Sequence, residues 1–266
     1  MRFTKMQGLG NDYLYFWGEI DHPEEVSRRL SDRHFGAGSD GIILISPSER
    51  ADFRMRIFNA DGSEAMMCGN GIRCVGKYVY DKGYTDQTAL RIETRSGVKT
   101  LRLEVRSGKV RRVAADMGRA VVSEDIALEI DGIPVTVTPV NVGNPHAVCF
   151  LSEGTDAEAV PLGEIGPKIE KHPAFPGGVN AEFVSRGADG GLRMRVWERG
   201  SGITMACGTG ACASASAAVA KGFCRAGARI PVRLDGGTLE IEVSPDFAVT
   251  MTGPAEFVYE GEISDD

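Results

Sequence analysis

Apolar and polar residues alternate where Phe53, Met55 and Ile57 stand against Arg54 and Arg56, and again along Leu101, Leu103 and Val105 and along Leu239, Ile241 and Val243. A period of two places one face of a β-strand in a core, so each stretch predicts a strand. The pattern changes after Cys68. Ile72, Val75, Tyr78 and Val79 recur at helical spacing, and the segment stops at Lys82-Gly83, a basic last turn followed by a glycine. A second helix is predicted from about Thr209 to Lys221-Gly222, built almost entirely of Ala, Ser and Val. A helix with small residues on every side is buried on every side.

These elements occur twice. The run from Arg54 to Gly71, which ends in Met67-Cys68-Gly69-Asn70-Gly71, aligns without a gap on Arg193 to Gly210, which ends in Ala206-Cys207-Gly208-Thr209-Gly210; the offset is 207 − 68 = 139. Gly38–Ile45 falls on Gly177–Val184 at the same offset. An offset of half the chain predicts two copies of one fold and not a solenoid. The fold class expected is α/β in the mixed α+β sense: two pseudosymmetric halves, each a curved, mostly antiparallel sheet wrapped around a central helix. Residues 1–112 with 254–266 would form the half that carries Cys68, and 113–253 the half that carries Cys207, with the active site in the cleft between them.

With 266 residues, 42% hydrophobic and 25% charged, the composition is that of a globular protein able to bury a substantial core. A net charge of −7 and a pI near 5.3 argue against a nucleic-acid partner. The first residues hold no apolar signal region, and no stretch approaches the ~20 apolar residues that cross a bilayer, so no membrane role and a cytoplasmic location are expected. Six cysteines without an export signal are expected to be reduced. No metal is expected, because the chain has no CxxC pair and His22, His34, His146 and His172 stand in no ligand spacing.

A cysteine at a helix start lies near unpaired backbone N–H groups and the positive end of the dipole, which can lower its pKa below the free value of ~8.5. The glycines around Cys68 and Cys207 let backbone approach a ligand, and the same N–H groups could hold a carboxylate. Removing a proton α to a carboxylate builds charge where those donors point, and inverting the centre needs a second group on the opposite face. Two equivalent cysteines suit that task as thiolate base and thiol acid. Cys74, Cys149, Cys212 and Cys224 lie in apolar or helical context and are read as core residues.

Two other motifs fail on inspection. Gly71–Tyr78 has P-loop spacing, but Tyr78 replaces the Ser/Thr that would bind Mg²⁺ and the glycines fall within a helix. Gly208–Ala213 fits GxGxxA, yet a polar segment separates it from the preceding strand and no acidic residue follows about 20 positions on.

The ordered motifs Lys5–Tyr13, Phe58–Glu64, Met67–Gly71, Gly143-Asn144-Pro145-His146, Gly178–Phe183, Glu198-Arg199-Gly200 and Ala206–Ala211 resemble the diaminopimelate epimerase family over essentially the whole chain. The resemblance implies that family's fold and a homodimer. It also implies a cofactor-independent isomerase that interconverts LL- and meso-2,6-diaminopimelate without pyridoxal phosphate, on the route to lysine and peptidoglycan. By the same resemblance Cys68 and Cys207 are catalytic, and Asn11, Asn59, Asn144, Asn180, Glu198 and Arg199 line the substrate site. Backbone at Gly69-Asn70 and Gly208-Thr209 would bind the reacting carboxylate, and His146 would either support the site or fix its own loop. Such residues suit a substrate with two zwitterionic ends, since Arg199 can fork onto the distal carboxylate and Glu198 can accept from an ammonium.

Two positions depart from the family pattern. Gly41 stands where some members carry a polar side chain, and Ile203 replaces a glutamate common in the Glu-Arg-Gly-x-Gly-Glu-Thr run. Both bear on pocket shape, and they leave a racemase of another amino acid, such as histidine, as the alternative.

Overall fold

The computed structural model describes residues 1–264. The segment 254–266 assigned to the first half thus runs two residues, Asp265 and Asp266, beyond the described part. The chain forms two compact units, one of Met1–Asp116 together with the segment from Gly253 onward, the other of Met117–Thr252.

In the first unit the strands pair in the order Glu256–Glu262, Arg2–Gly8, Asn11–Trp17, Gly41–Pro47, Phe53–Asn59, Ala89–Thr94, Gly97–Arg106 and Lys109–Arg119. Pairing is antiparallel except for Asn11–Trp17 with Gly41–Pro47 and Phe53–Asn59 with Ala89–Thr94. Helix α1 (Pro23–Ser31) fills the first parallel crossover and α2 (Gly69–Asp81) the second. The strand Gly41–Pro47 explains why alternation disappears along Ile42–Ile45. Ile42 and Leu44 pack with Leu30 of α1, whereas Ile43 approaches Gly71 of α2, so both faces are apolar.

The second unit repeats this plan. Ile133–Asn141, Pro145–Phe150, Asn180–Arg186, Leu192–Glu198, Arg229–Leu234, Gly237–Val243 and Ala248–Gly253 pair in that order, again with two parallel crossovers. Helices α3 (Leu162–Glu170) and α4 (Gly208–Ala220) fill them. Leu162 and Ile169 of α3 pack with Ala181 and Phe183, leaving the alternate residues Glu182 and Val184 for α4.

Both helices predicted from the sequence are present and nearly completely buried. α2 is capped at Lys82-Gly83, where the Lys82 N–H bonds the Tyr78 carbonyl and the Gly83 N–H that of Tyr80; α4 is capped at Lys221-Gly222 in the same way on Ala217 and Val219. The polar residues of α2 are anchored as burial requires. Lys77 holds Asp81 at 2.8 Å and the Val110 carbonyl at 2.6 Å, and Arg73 donates to the carbonyls of Gly69 and Pro254. The α1 and α3 helices were not among the predicted elements, since nine residues each give too short a periodic run. Among the described residues no helix is long and apolar enough to cross a membrane.

Candidate active site

Cys68 is the N-cap of α2 and Cys207 the N-cap of α4, each in extended backbone conformation. Each sulfur accepts a hydrogen bond at 3.4 Å from the third residue on, Gly71 N–H for Cys68 and Gly210 N–H for Cys207. The first intrahelical bonds run from Ile72 N–H to the Cys68 carbonyl and from Ala211 N–H to the Cys207 carbonyl. The N–H groups of Gly69 and Asn70, and of Gly208 and Thr209, therefore precede the helical ladder, where an anion is favoured.

In the first unit the half-buried Cys68 thiol donates to Asn11 Oδ1 at 3.4 Å. Asn11 Nδ2 donates to Asp40 at 2.7 Å, and that same carboxylate accepts the Asp12 N–H. Tyr13 lies buried beside this cluster, and burial first, then the nearby charges of Cys68 and Asp40, push its pKa well above 10.0. Asn70 is buried, with Oδ1 held by Arg73 at 3.1 Å. Asn59 donates to Ser63 at 3.0 Å and takes no part in this cluster of bonds.

In the second unit a chain of bonds surrounds the start of α4. Cys207 Sγ lies 3.6 Å from Thr209 Oγ1, and Asn144 Nδ2 donates to that hydroxyl at 3.3 Å. Asn144 Oδ1 lies 3.0 Å from His146 Nε2, and His146 Nδ1 lies 2.6 Å from Glu182 Oε1. Asn180 bridges two neighbours, donating to the Pro145 carbonyl at 3.0 Å and accepting the Arg199 N–H at 2.9 Å. The Arg199 guanidinium rests on the Gly177 carbonyl at 2.9 Å, and Glu198 accepts from Thr204 at 2.5 Å.

The expectation that a helix start lowers the thiol pKa does not describe Cys207. Burial raises it well above 9.0, and the negative charges of Glu198 and Glu182 add to the rise; the bonds from Thr209 and Gly210 oppose it without prevailing. The thiol form of Cys207 is thereby favoured over the thiolate. Glu182 is itself raised by burial, with its bond to His146 as the main offset.

Gly41 has a structural reason. A Cβ there would run into the Phe58 carbonyl oxygen on the neighbouring strand, at a φ of +154° that side chains avoid. Asp40, one residue earlier, supplies the polar contact to Asn11. Ile203 is half exposed and pairs with Trp197, so its side chain is no part of the hydrogen-bonded clusters.

Tyr13 and Glu182 stand within the sequence motifs without a predicted role. One signal was available for Glu182: at the offset of 139 it falls on Ile43, so a charge stands where the other copy has an apolar residue. Among the described residues no three His, Cys, Asp or Glu side chains converge as a metal site would require.

The family model described as diaminopimelate epimerase matches residues 3–123 and 138–258, once in each half of the chain. This chain belongs to the diaminopimelate epimerase family. The diaminopimelate epimerase of Acetivibrio thermocellus is 51% identical over 280 aligned residues, 99% of this chain and 98% of that one. That of Methanococcus maripaludis is 49% identical, covering 99% of both chains. Among solved structures, a probable proline racemase from Agrobacterium radiobacter superposes with a TM-score of 0.78 at 21% identity, covering 100% of this chain and 93% of that one, which shows the fold alone. The family drawn from the motifs and the mixed α/β fold drawn from the repeat are both borne out. Membership makes this chain an isomerase of the cofactor-independent epimerase class.

Proposed function

We propose that this chain is a diaminopimelate epimerase that interconverts the LL and meso isomers of 2,6-diaminopimelate with Cys68 and Cys207 as its two bases. The observation that carries the reading is identity near 50% with curated diaminopimelate epimerases over 99% of the chain, in a molecule where both cysteines cap equivalent helices. A thiolate takes the α-hydrogen as a proton from one face of the carbon. The electron pair left behind spreads onto the carboxylate, where the helix-start N–H groups of Gly69 and Asn70 and of Gly208 and Thr209 stabilise it. The thiol on the opposite face then gives its proton to the carbon, so the stereocentre inverts and the two sulfurs exchange protonation states.

Asn11, Asn59, Asn144, Asn180, Glu198 and Arg199 hold the substrate in this reading, with His146 in support. Arg199 exchanges the Gly177 carbonyl for the distal carboxylate, a charge-assisted and stronger bond. The enzyme acts in the cytoplasm as a homodimer, on the lysine and peptidoglycan route. The two departures that left a histidine racemase as the alternative carry less weight, because Gly41 answers to backbone approach and Ile203 is half exposed.

The test is α-hydrogen exchange in deuterated water with LL-diaminopimelate, proline and histidine offered separately. Exchange with diaminopimelate alone is the expected result. Exchange with histidine or proline alone, or with none of the three, overturns the proposal.

A further inference from the structure

We propose that Glu182 is a positioning residue, whose bond to His146 fixes which ring nitrogen faces Asn144 with a proton and thereby aims the Asn144 amide beside the Cys207 thiol. The inference rests on the epimerase reading above and goes beyond it, to a residue that touches no substrate.

The geometry admits few alternatives. Asn144 Nδ2 donates to Thr209 Oγ1 at 3.3 Å, so its Oδ1 is the atom turned toward His146. An amide oxygen only accepts, so His146 Nε2 must carry a proton. The other ring nitrogen, Nδ1, lies 2.6 Å from Glu182 Oε1, with both side chains fully buried. With its proton on Nε2 the neutral ring leaves Nδ1 bare, so the 2.6 Å contact is a bond donated by a protonated Glu182, the form that its burial favours. The protonated carboxyl group thus selects against the tautomer in which Nε2 is bare and the amide of Asn144 would have to turn over, a tautomer that an ionised Glu182 would favour.

Packing alone does not call for an acid here. Ile43 holds the equivalent place in the first unit, directed at Gly71 of α2 as Glu182 is directed at Gly210 of α4. The second unit instead buries a carboxyl group, which costs free energy unless it is hydrogen-bonded. Its remaining oxygen, Oε2, has no hydrogen-bond partner among the described residues. Three titratable groups face Glu182: His146 from Pro145–Phe150, Glu198 at the end of Leu192–Glu198, and Cys207 at the start of α4. A Cβ on Gly210 would stand 2.9 Å from Glu182 Oε1 and 3.3 Å from Cys207 Sγ, which shows how directly the carboxyl group underlies the thiol.

The test is ¹⁵N spectroscopy of histidine-labelled enzyme, read at His146 in the free protein, together with kcat/KM for the wild type, Glu182→Gln and Glu182→Ile. The wild type is expected to show a protonated Nε2; a bare Nε2 overturns the proposal without recourse to any variant. Glu182→Gln can still donate from its amide to Nδ1, so it keeps the protonated Nε2 and most of kcat/KM. Glu182→Ile, which places the first unit's residue in the second, is expected to mix the two tautomers and lower kcat/KM by about tenfold to a hundredfold. Mixed tautomers with undiminished kcat/KM, or lost activity with Nε2 still protonated throughout, would each refute the assignment. Because the spectra need no substrate, they judge Glu182 independently of whether diaminopimelate is turned over.

Discussion

Asn11 and Asn144 occupy the same place in the two units, although 144 − 11 = 133 residues separate them and not 139. Leu14 pairs with Ile42 in one parallel crossover as Ala147 pairs with Ala181 in the other, and Ile42 matches Ala181 at the offset of 139. Counting back from Leu14 and Ala147 aligns Gly10-Asn11 with Gly143-Asn144, and Tyr13 with His146. Each asparagine serves its own unit, Asn11 bonding the Cys68 thiol and Asn144 bonding Thr209 beside Cys207. His146 bonds the asparagine of its unit from the position that Tyr13 holds in the other.

The N-cap role of the two sulfurs makes serine the informative replacement. Cys68→Ser and Cys207→Ser retain an oxygen that can accept the Gly71 or Gly210 N–H, so each variant should fold. A hydroxyl is too weak an acid to replace either thiol, and epimerisation should fall at least about a hundredfold in each. Circular dichroism and α-hydrogen exchange check the two halves of this statement. Near-normal turnover in either variant would rule out a two-thiol mechanism.

Gly41 should resist substitution for reasons of backbone space. Gly41→Ala places a methyl group against the Phe58 carbonyl, and the neighbouring strand must shift to admit it. A loss of about 1–3 kcal/mol is expected from overpacking of this kind. Urea denaturation measures it, and a variant as stable as the wild type would show that the strands part more easily than their pairing indicates.

Alkaline pH should weaken the fold through its buried thiols. Burial pushes Cys74 and Cys149 from their ordinary 9.0 up to about 11. Below pH 9 both states hold these protons; as pH rises from 9 toward about 11 the unfolded chain releases them first, so stability falls with pH across that window. The melting temperature should drop accordingly. Cys74→Ala, less stable at neutral pH because it leaves a small cavity, should lose less between pH 9 and about 11 than the wild type does. An identical slope in both proteins would contradict the assignment.

Ile203→Glu restores the residue usual in its motif at a half-exposed position. Stability should change by no more than about 0.5 kcal/mol, and the preference for diaminopimelate over histidine should be unaltered. Differential scanning calorimetry and competitive exchange assays check these outcomes; a switch in preference would show that this position shapes the pocket after all.

Much of the fold was legible because the chain repeats itself. The offset of 139 located both cysteines, both central helices and the strands that feed them. It missed the pairing of Asn11 with Asn144 because the crossover from Leu14 to Ile42 advances 28 positions and that from Ala147 to Ala181 advances 34. A rigid offset cannot follow a six-residue difference. Sheet register can, since hydrogen bonding ties strands together regardless of how long the connection between them is.

The sequence by itself determined which residues start the two central helices, because capping is local and a cysteine followed by glycines and a periodic apolar run carries the signal in a few positions. Only the tertiary structure decided how burial and charge act on Cys207. Cys207 lies under burial and two carboxyl groups, Glu198 and Glu182, brought from strands more than eight residues away in sequence, and their combined effect reverses what the helix start alone would do. Gly41 likewise gained its reason only when Phe58 was folded against it. Charge interactions and steric contact depend on distance in space, and for these residues distance in space is set by sheet pairing, which local sequence does not encode.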